Sequence, residues 1–171
     1  FNRLKQQNII VPPSRTGQPK KQKFMGAYVK EPQVGMHEWV VSFDLNSLYP
    51  HLIMQYNISP ETSVESSDVT LSIDKMLNKE IDIQSHYATT PNGARFSKRK
   101  QGFLPEILEN LYDERVLWKN KMIEYQKEFE STDDPKRKQE LNRQIAIAYN
   151  NQMVRKISLN SAYGAIGNEW F

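Results

Sequence analysis

Eight residues between positions 104 and 129 recur at alternating steps of four and three: Leu104, Leu108, Leu111, Arg115, Trp118, Met122, Tyr125 and Phe129. Nothing else in the chain constrains its fold as much. This is a heptad seam, so it predicts a helix over 104–130 whose stripe must be covered by another element. The next residues supply the cover. Ser131-Thr132-Asp133-Asp134-Pro135 reads as a turn, with Asp134 capping a second helix and Pro135 at its first position. That helix is predicted over 135–162, and Tyr149, Met153 and Ile157 are the stripe expected to face the first. At ~1.5 Å per residue each helix is ~40 Å long, and so short a connection forces them antiparallel. The acids at the tip, Glu128, Glu130, Asp133 and Asp134, are expected to form a solvated end and not a metal site. Arg115 is the anomaly, a cation set in an apolar seam.

The first hundred residues read differently. Residues 1–11 are expected to form a short helix ending at Asn8-Ile9-Ile10-Val11, stopped by Pro12-Pro13, with a loop over 14–23. Phe24 to Val34 is a strand or an irregular segment. Gly35-Met36 turns into a strand over His37–Phe43, whose core is the apolar run Trp39-Val40-Val41. Leu48–Tyr56 is predicted helical, with Leu48, Leu52, Ile53 and Tyr56 on one side, and Ser59-Pro60-Glu61-Thr62 closes the unit. A short helix is expected over 72–77. Two β-prone runs, His86–Thr89 and Ala94–Ser97, flank Pro91-Asn92-Gly93, and Asn-Gly there signals a hairpin because both residues tolerate positive φ. The fold class is therefore α+β: strands with short helices, then a long antiparallel helical hairpin.

Composition removes several classes of function. There is no cysteine among the 171 residues, hence no disulfide and no thiolate metal site. No apolar run approaches the ~20 residues that span a bilayer, so no membrane association is expected. The net charge is +3, but residues 1–30 carry +7 through Arg3, Lys5, Arg15, Lys20, Lys21, Lys23 and Lys30 with no acid, which leaves −4 on the rest. Such a basic arm is either a solvated linker or a phosphate-binding strip. The chain opens on Phe1, carries no signal peptide and closes on Trp170-Phe171, so both ends read as cut.

Few residues are placed for chemistry. Asp44 stands where the predicted strand 37–43 should end. Arg115 and Lys119 form an i,i+4 pair of cations that repel unless an anion lies near them. On the second helix Gln152, Lys156, Asn160 and Tyr163 follow at steps of four, four and three and share a face. In an antiparallel hairpin Lys156 falls near the level of Arg115 and Lys119. The three cations then either extend into solvent or grip a polyphosphate, Arg115 as a fork and the lysines as point charges. His37 and His86 have no ligand spacing.

Two stretches 112 residues apart carry a family resemblance. Asp44-x-x-Ser47-Leu48-Tyr49-Pro50 and Lys156-x-x-x-Asn160-Ser161-x-Tyr163-Gly164 resemble the first two polymerase motifs of family B DNA polymerases. Gly26-Ala27-Tyr28-Val29-Lys30-Glu31-Pro32, Tyr56-Asn57-Ile58-Ser59-Pro60-Glu61-Thr62 and Tyr163-Gly164-Ala165-Ile166-Gly167-Asn168 are most similar to the replicative polymerases of T-even-type bacteriophages. The resemblance implies a basic arm over 1–23, part of a palm domain over 24–103, a fingers hairpin over 104–162 and a return into the palm over 163–171.

It also implies roles. Asp44 and the backbone carbonyl of Leu45 would hold Mg²⁺, one of two ions that activate the primer 3′-OH and neutralise pyrophosphate. Backbone N–H groups of Ser47, Leu48 and Tyr49 would bind the β- and γ-phosphates. Tyr49 would exclude a ribose 2′-OH. Arg115, Lys119 and Lys156 would grip the triphosphate, with Lys156 also the proton donor to pyrophosphate. Asn160 would line the incoming base, and Tyr163 and Gly164 would pack on the nascent base pair. The implied partners are dNTP, primer–template DNA, the remaining palm and thumb, and a sliding clamp, in the cytoplasm of an infected bacterium.

Two departures qualify this. His51 stands where relatives usually have Ser after Tyr-Pro. The family's third motif, Asp-Thr-Asp, does not occur here, nor do exonuclease carboxylates or a thumb. The expected function is thus DNA-templated DNA synthesis by a central slice, inactive without a downstream segment. The rivals are one chain of a split polymerase, a non-catalytic dNTP or primer–template binding module, and a helical-hairpin interaction protein.

Overall fold

A computed structural model describes residues 2–6, 8, 10, 27–64, 72–79 and 86–168. In chain order these form α1 (Asn2–Gln6), α2 (Leu48–Gln55), a 3-10 turn (Pro60–Thr62), β1 (Ser63–Val64), α3 (Ile73–Leu77), β2 (Tyr87–Thr89), β3 (Arg95–Ser97), α4 (Phe103–Ser131) and α5 (Pro135–Gly167). The sheet is antiparallel in the order β1-β3-β2, with Phe96 opposite both Ser63 and Ala88. Helices and a small sheet in separate stretches of chain make an α+β fold.

The helical hairpin forms as its sequence dictates. The Asp134 carboxylate accepts from the Lys136 backbone N–H at 3.0 Å, and Pro135 opens α5. Arg155 donates to Glu114 at 2.7 Å and Arg137 pairs with Glu128 at 2.6 Å, which fixes the antiparallel register at two levels. Every α4 seam residue from Leu104 to Phe129 is buried or half-buried. At the tip, Glu128 is ion-paired and Asp134 is a cap, so those acids do more than face solvent.

The α5 seam differs from the expected stripe. Its buried residues are Leu141, Ala148, Gln152 and Leu159, and Ile145, Arg155 and Ala162 complete the four–three alternation. Tyr149 and Ile157 point outward, and Ile157 is 57% exposed. The register sets Ala148 level with the Trp118–Met122 stretch of α4 and leaves Tyr149 and Ile157 on the solvent side. Gln152 is 9% exposed and lies in this seam; Lys156 and Asn160, about 40° and 80° further round the helix, are exposed, and Tyr163 is half-buried. α5 also runs on through Gly164 to Gly167, because one exposed glycine weakens a helix without breaking it.

α2 ends in a Schellman motif. Asn57 takes the left-handed conformation at φ 54, its N–H bonds the Met54 carbonyl, and the Ile58 N–H reaches the Ile53 carbonyl at 2.9 Å. Ile53 and Ile58 then enter one apolar cluster with Met54, Leu104, Leu108, Leu111, Tyr112, Leu159 and Ala162. This core sits at the base of the hairpin, where α2, α4 and α5 meet.

The same turn caps α4. Gly102, at the N-cap, offers no side chain, yet its N–H donates to Asn57 Oδ1 at 2.8 Å. The Phe103 N–H donates to the Glu61 carboxylate at 2.6 Å, and the Leu104 N–H points at Ser59 Oγ. Asn57 Nδ2 donates to the Ser97 and Lys100 carbonyls at 2.6 and 2.9 Å, tying β3 to the same point. A negative group at a helix N-terminus also complements the helix dipole.

Three expectations for the first hundred residues need correction or refinement. His37–Phe43 forms no strand; Trp39 is 95% and Phe43 91% exposed, because no neighbouring strand among the described residues offers a ladder for this run. Residues 27–34 are irregular, the second of the two readings. The hairpin has a longer loop than a two-residue Asn-Gly turn: Thr90 pairs with Ala94, and only Gly93 takes positive φ, at 85°. Three-residue loops place one left-handed residue last, and Gly93 fills that position. The short helix over 72–77 is α3, capped by Ser72 Oγ on the Lys75 N–H. The Pro12-Pro13 stop, the loop over 14–23, most of the basic arm and residues 169–171 lie outside the described residues.

Candidate functional site

The turn Asn46-Ser47 feeds α2, and Ser47 holds its N-cap at φ 53, ψ 42. This left-handed conformation is costly for a residue with a Cβ. Ser47 makes no side-chain cap bond; its hydroxyl accepts from Arg115 Nη1 on α4 at 3.0 Å. The first amides of a helix lack intrahelical acceptors. Here those of Leu48 and Tyr49 have no acceptor among the described residues, and Pro50 has no N–H. The seam cation thus reaches the start of α2, beside two free donors.

Arg115 has a second feature. Its Nε is buried and without a hydrogen-bond partner among the described residues. Such a group is costly unless satisfied, so a guanidinium held this way favours an anionic neighbour.

Across the site, Tyr49 and Tyr163 stack face to face, with centroids 4.2 Å apart and planes 4° from parallel. One π-stack thickness separates them, so nothing fits between the rings. A ligand ring or sugar must use their outer faces or edges. Gly164 follows Tyr163 on α5, and the space a Cβ would take there is open. Asn160 lies one turn before, exposed.

Lys119 lies one turn beyond Arg115 towards the hairpin tip, and Lys156 follows Arg155, whose ion pair with Glu114 sets it at the level of Arg115. Both lysines are exposed and have no ion-pair partner among the described residues. Uncompensated cations make a favourable field for a polyanion.

Asp44 and Leu45 lie exposed in the segment that leads into the Ser47 turn. No group of three His, Cys, Asp or Glu among the described residues could hold a metal ion. One carboxylate and one carbonyl fit a magnesium ion held mainly by phosphate oxygens and water, and not an ion caged by this chain. No described helix is long and apolar enough to cross a membrane.

Sequence reasoning placed Ser47, Tyr49, Arg115 and Tyr163, which the structure brings together. It missed Asn57, Glu61 and Tyr112, and it singled out His51 without a contact for it. Asn57 had a local signal, since Asn after a helix is a common left-handed C′ residue. Tyr112 was visible only as a residue beside the seam, and nothing local linked Glu61 to α4.

The model of DNA polymerase family B matches residues 1–170. The DNA-directed DNA polymerase of Escherichia phage RB69 is 31% identical over 211 aligned positions that cover all of this chain and 23% of the relative. That of Enterobacteria phage T4 is 29% identical, again over all of this chain and 23% of the relative. DNA polymerase 1 of Pyrococcus abyssi is 36% identical over 86% of this chain and 15% of the relative. The chain thus spans under a quarter of the length of these relatives.

Proposed function

The chain belongs to DNA polymerase family B, and on that premise we propose that it carries the nucleotide-selecting part of a DNA-templated DNA polymerase. Residues 24–103 contribute to the palm and 104–162 are the fingers. One observation carries the reading: the two motifs, 112 residues apart, meet where Tyr49 stacks on Tyr163, beside the bond from Arg115 of α4 to Ser47.

In this reading the β- and γ-phosphates of a dNTP lie on the amides of Ser47, Leu48 and Tyr49. Arg115 exchanges the Ser47 hydroxyl for a phosphate oxygen, gaining a charge-assisted bond for a neutral one. Lys119 and Lys156 add point charges from the fingers, and Lys156 donates a proton to the leaving pyrophosphate. The deoxyribose rests on the outer face of Tyr49, whose ring leaves no room for a 2′-OH. Asn160, Tyr163 and Gly164 line the nascent base pair. Asp44 and the Leu45 carbonyl would hold Mg²⁺ against the phosphates, and two such ions supply charge neutralisation when bound, the second needing a carboxylate from outside this chain.

The partners are dNTP, primer–template DNA and the remaining palm and thumb, on the same chain or a separate one; a sliding clamp is the proposed processivity partner. By analogy with the phage relatives, it acts in the cytoplasm of an infected bacterium.

The test is primer extension and dNTP binding by the complete polymerase, assembled from this chain and the remainder. Asp44→Ala is expected to abolish extension, and Lys156→Ala to weaken dNTP binding at least tenfold. Full extension by the first variant, or unchanged binding by the second, overturns these roles. Nucleotide binding by the parent with no extension would instead favour a non-catalytic binding module.

A further inference from the structure

We propose that His51 is a positioning residue for nucleotide binding, clamping the Ser47 carbonyl so that the Leu48 amide is aimed at phosphate; this rests on the nucleotide reading above. Two donors of His51 converge on one acceptor. Its backbone N–H reaches the Ser47 carbonyl at 3.1 Å and its ring Nδ1 at 2.9 Å. A carbonyl oxygen has two lone pairs and takes both. Because the acceptor is a carbonyl, Nδ1 carries the hydrogen, which fixes the tautomer of the neutral ring.

The consequence follows from peptide planarity. The Ser47 C=O and the Leu48 N–H belong to one rigid plane and point in opposite directions. Holding the first therefore aims the second. Ser47 needs this help, since its left-handed backbone is not one a serine adopts freely.

The ring also reaches α4. His51 meets Tyr112 edge-on, with centroids 4.6 Å apart and planes at 83°. Tyr112 and Arg115 are three residues apart on one face of α4, and His51 and Ser47 are four apart at the start of α2. The turn is thus tied to α4 by two rungs, Arg115–Ser47 and Tyr112–His51. A serine at this position could bond the carbonyl but could not span to Tyr112.

The test is steady-state dNTP incorporation by the complete polymerase with three variants. His51→Phe keeps a ring and loses the donor, His51→Ser keeps a donor and loses the ring, and His51→Ala loses both. Phe and Ala are expected to raise KM for dNTP about fivefold, the loss of one hydrogen bond, with kcat within about twofold of the parent; Ser stays within about twofold in both. KM does not depend on the folded fraction, so a merely destabilised variant lowers kcat and leaves KM alone. Parent-like KM for Phe and Ala, or a Ser variant as impaired as Phe, overturns the proposal. Lys156→Ala in the same assay separates the two readings. If it raises KM and the His51 variants do not, only the role of His51 fails; if it leaves KM unchanged, the nucleotide reading fails first.

Discussion

Asn57 holds three parts of the fold at one point, and its replacement should cost more than any exposed substitution. The side chain is 8% exposed and makes three hydrogen bonds, to the Ser97 and Lys100 carbonyls and from the Gly102 N–H. At about 1 kcal/mol net each, losing all three costs about 3 kcal/mol, and the buried Gly102 N–H is left without an acceptor. Asn57 is also left-handed, at φ 54, where alanine adds about 1 kcal/mol of strain that glycine avoids. Asn57→Ala should therefore lower stability by about 4 kcal/mol, and Asn57→Gly by about 3 kcal/mol. Equilibrium urea unfolding of the chain, followed by far-ultraviolet circular dichroism, measures both. Asp in place of Asn gives a further check, since it keeps the acceptor for Gly102 but sets a carboxylate against two carbonyls; it should be at least as damaging as Ala. A loss below about 1 kcal/mol for Ala, or a Gly variant no better than Ala, would refute the assignment of Asn57 as the shared anchor.

Two further outcomes follow from the same geometry. A Cβ at Gly102 would sit 2.5 Å from the Ser59 Cβ and 3.1 Å from Thr62 Cγ2, neither the far end of a flexible chain. Gly102→Ala should then cost about 1–3 kcal/mol by overpacking, read in the same unfolding experiment, and a neutral result would mean that the α4 start is not held against Ser59. Tyr49→Ala removes the ring proposed to face the sugar and leaves Tyr163 without its stacking partner, so the complete polymerase should incorporate ribonucleotides; unaltered sugar discrimination in competition assays would remove Tyr49 from that role.

Much of this molecule is written locally. The alternation of four and three from Leu104 to Phe129 and the Asp134-Pro135 start dictate two long helices, and the short turn between them dictates their antiparallel pairing, because helical period and capping depend only on near neighbours. Ser47, Tyr49 and Tyr163, which the fold brings together with Arg115, stand out in the sequence through their motifs, and Arg115 through its conflict with the seam. Tertiary structure decided the rest. Which face of α5 turns inward depends on its packing against α4, so Ala148 and Gln152 go in while Tyr149 and Ile157 stay out. An apolar run becomes a strand only beside another strand, so Trp39-Val40-Val41 stays open among the described residues. The links that build the site, Arg115 to Ser47, Tyr112 to His51 and Asn57 to Gly102, join residues 45 to 68 positions apart. Local sequence can specify a donor or a ring, but only the folded chain brings its partner within reach.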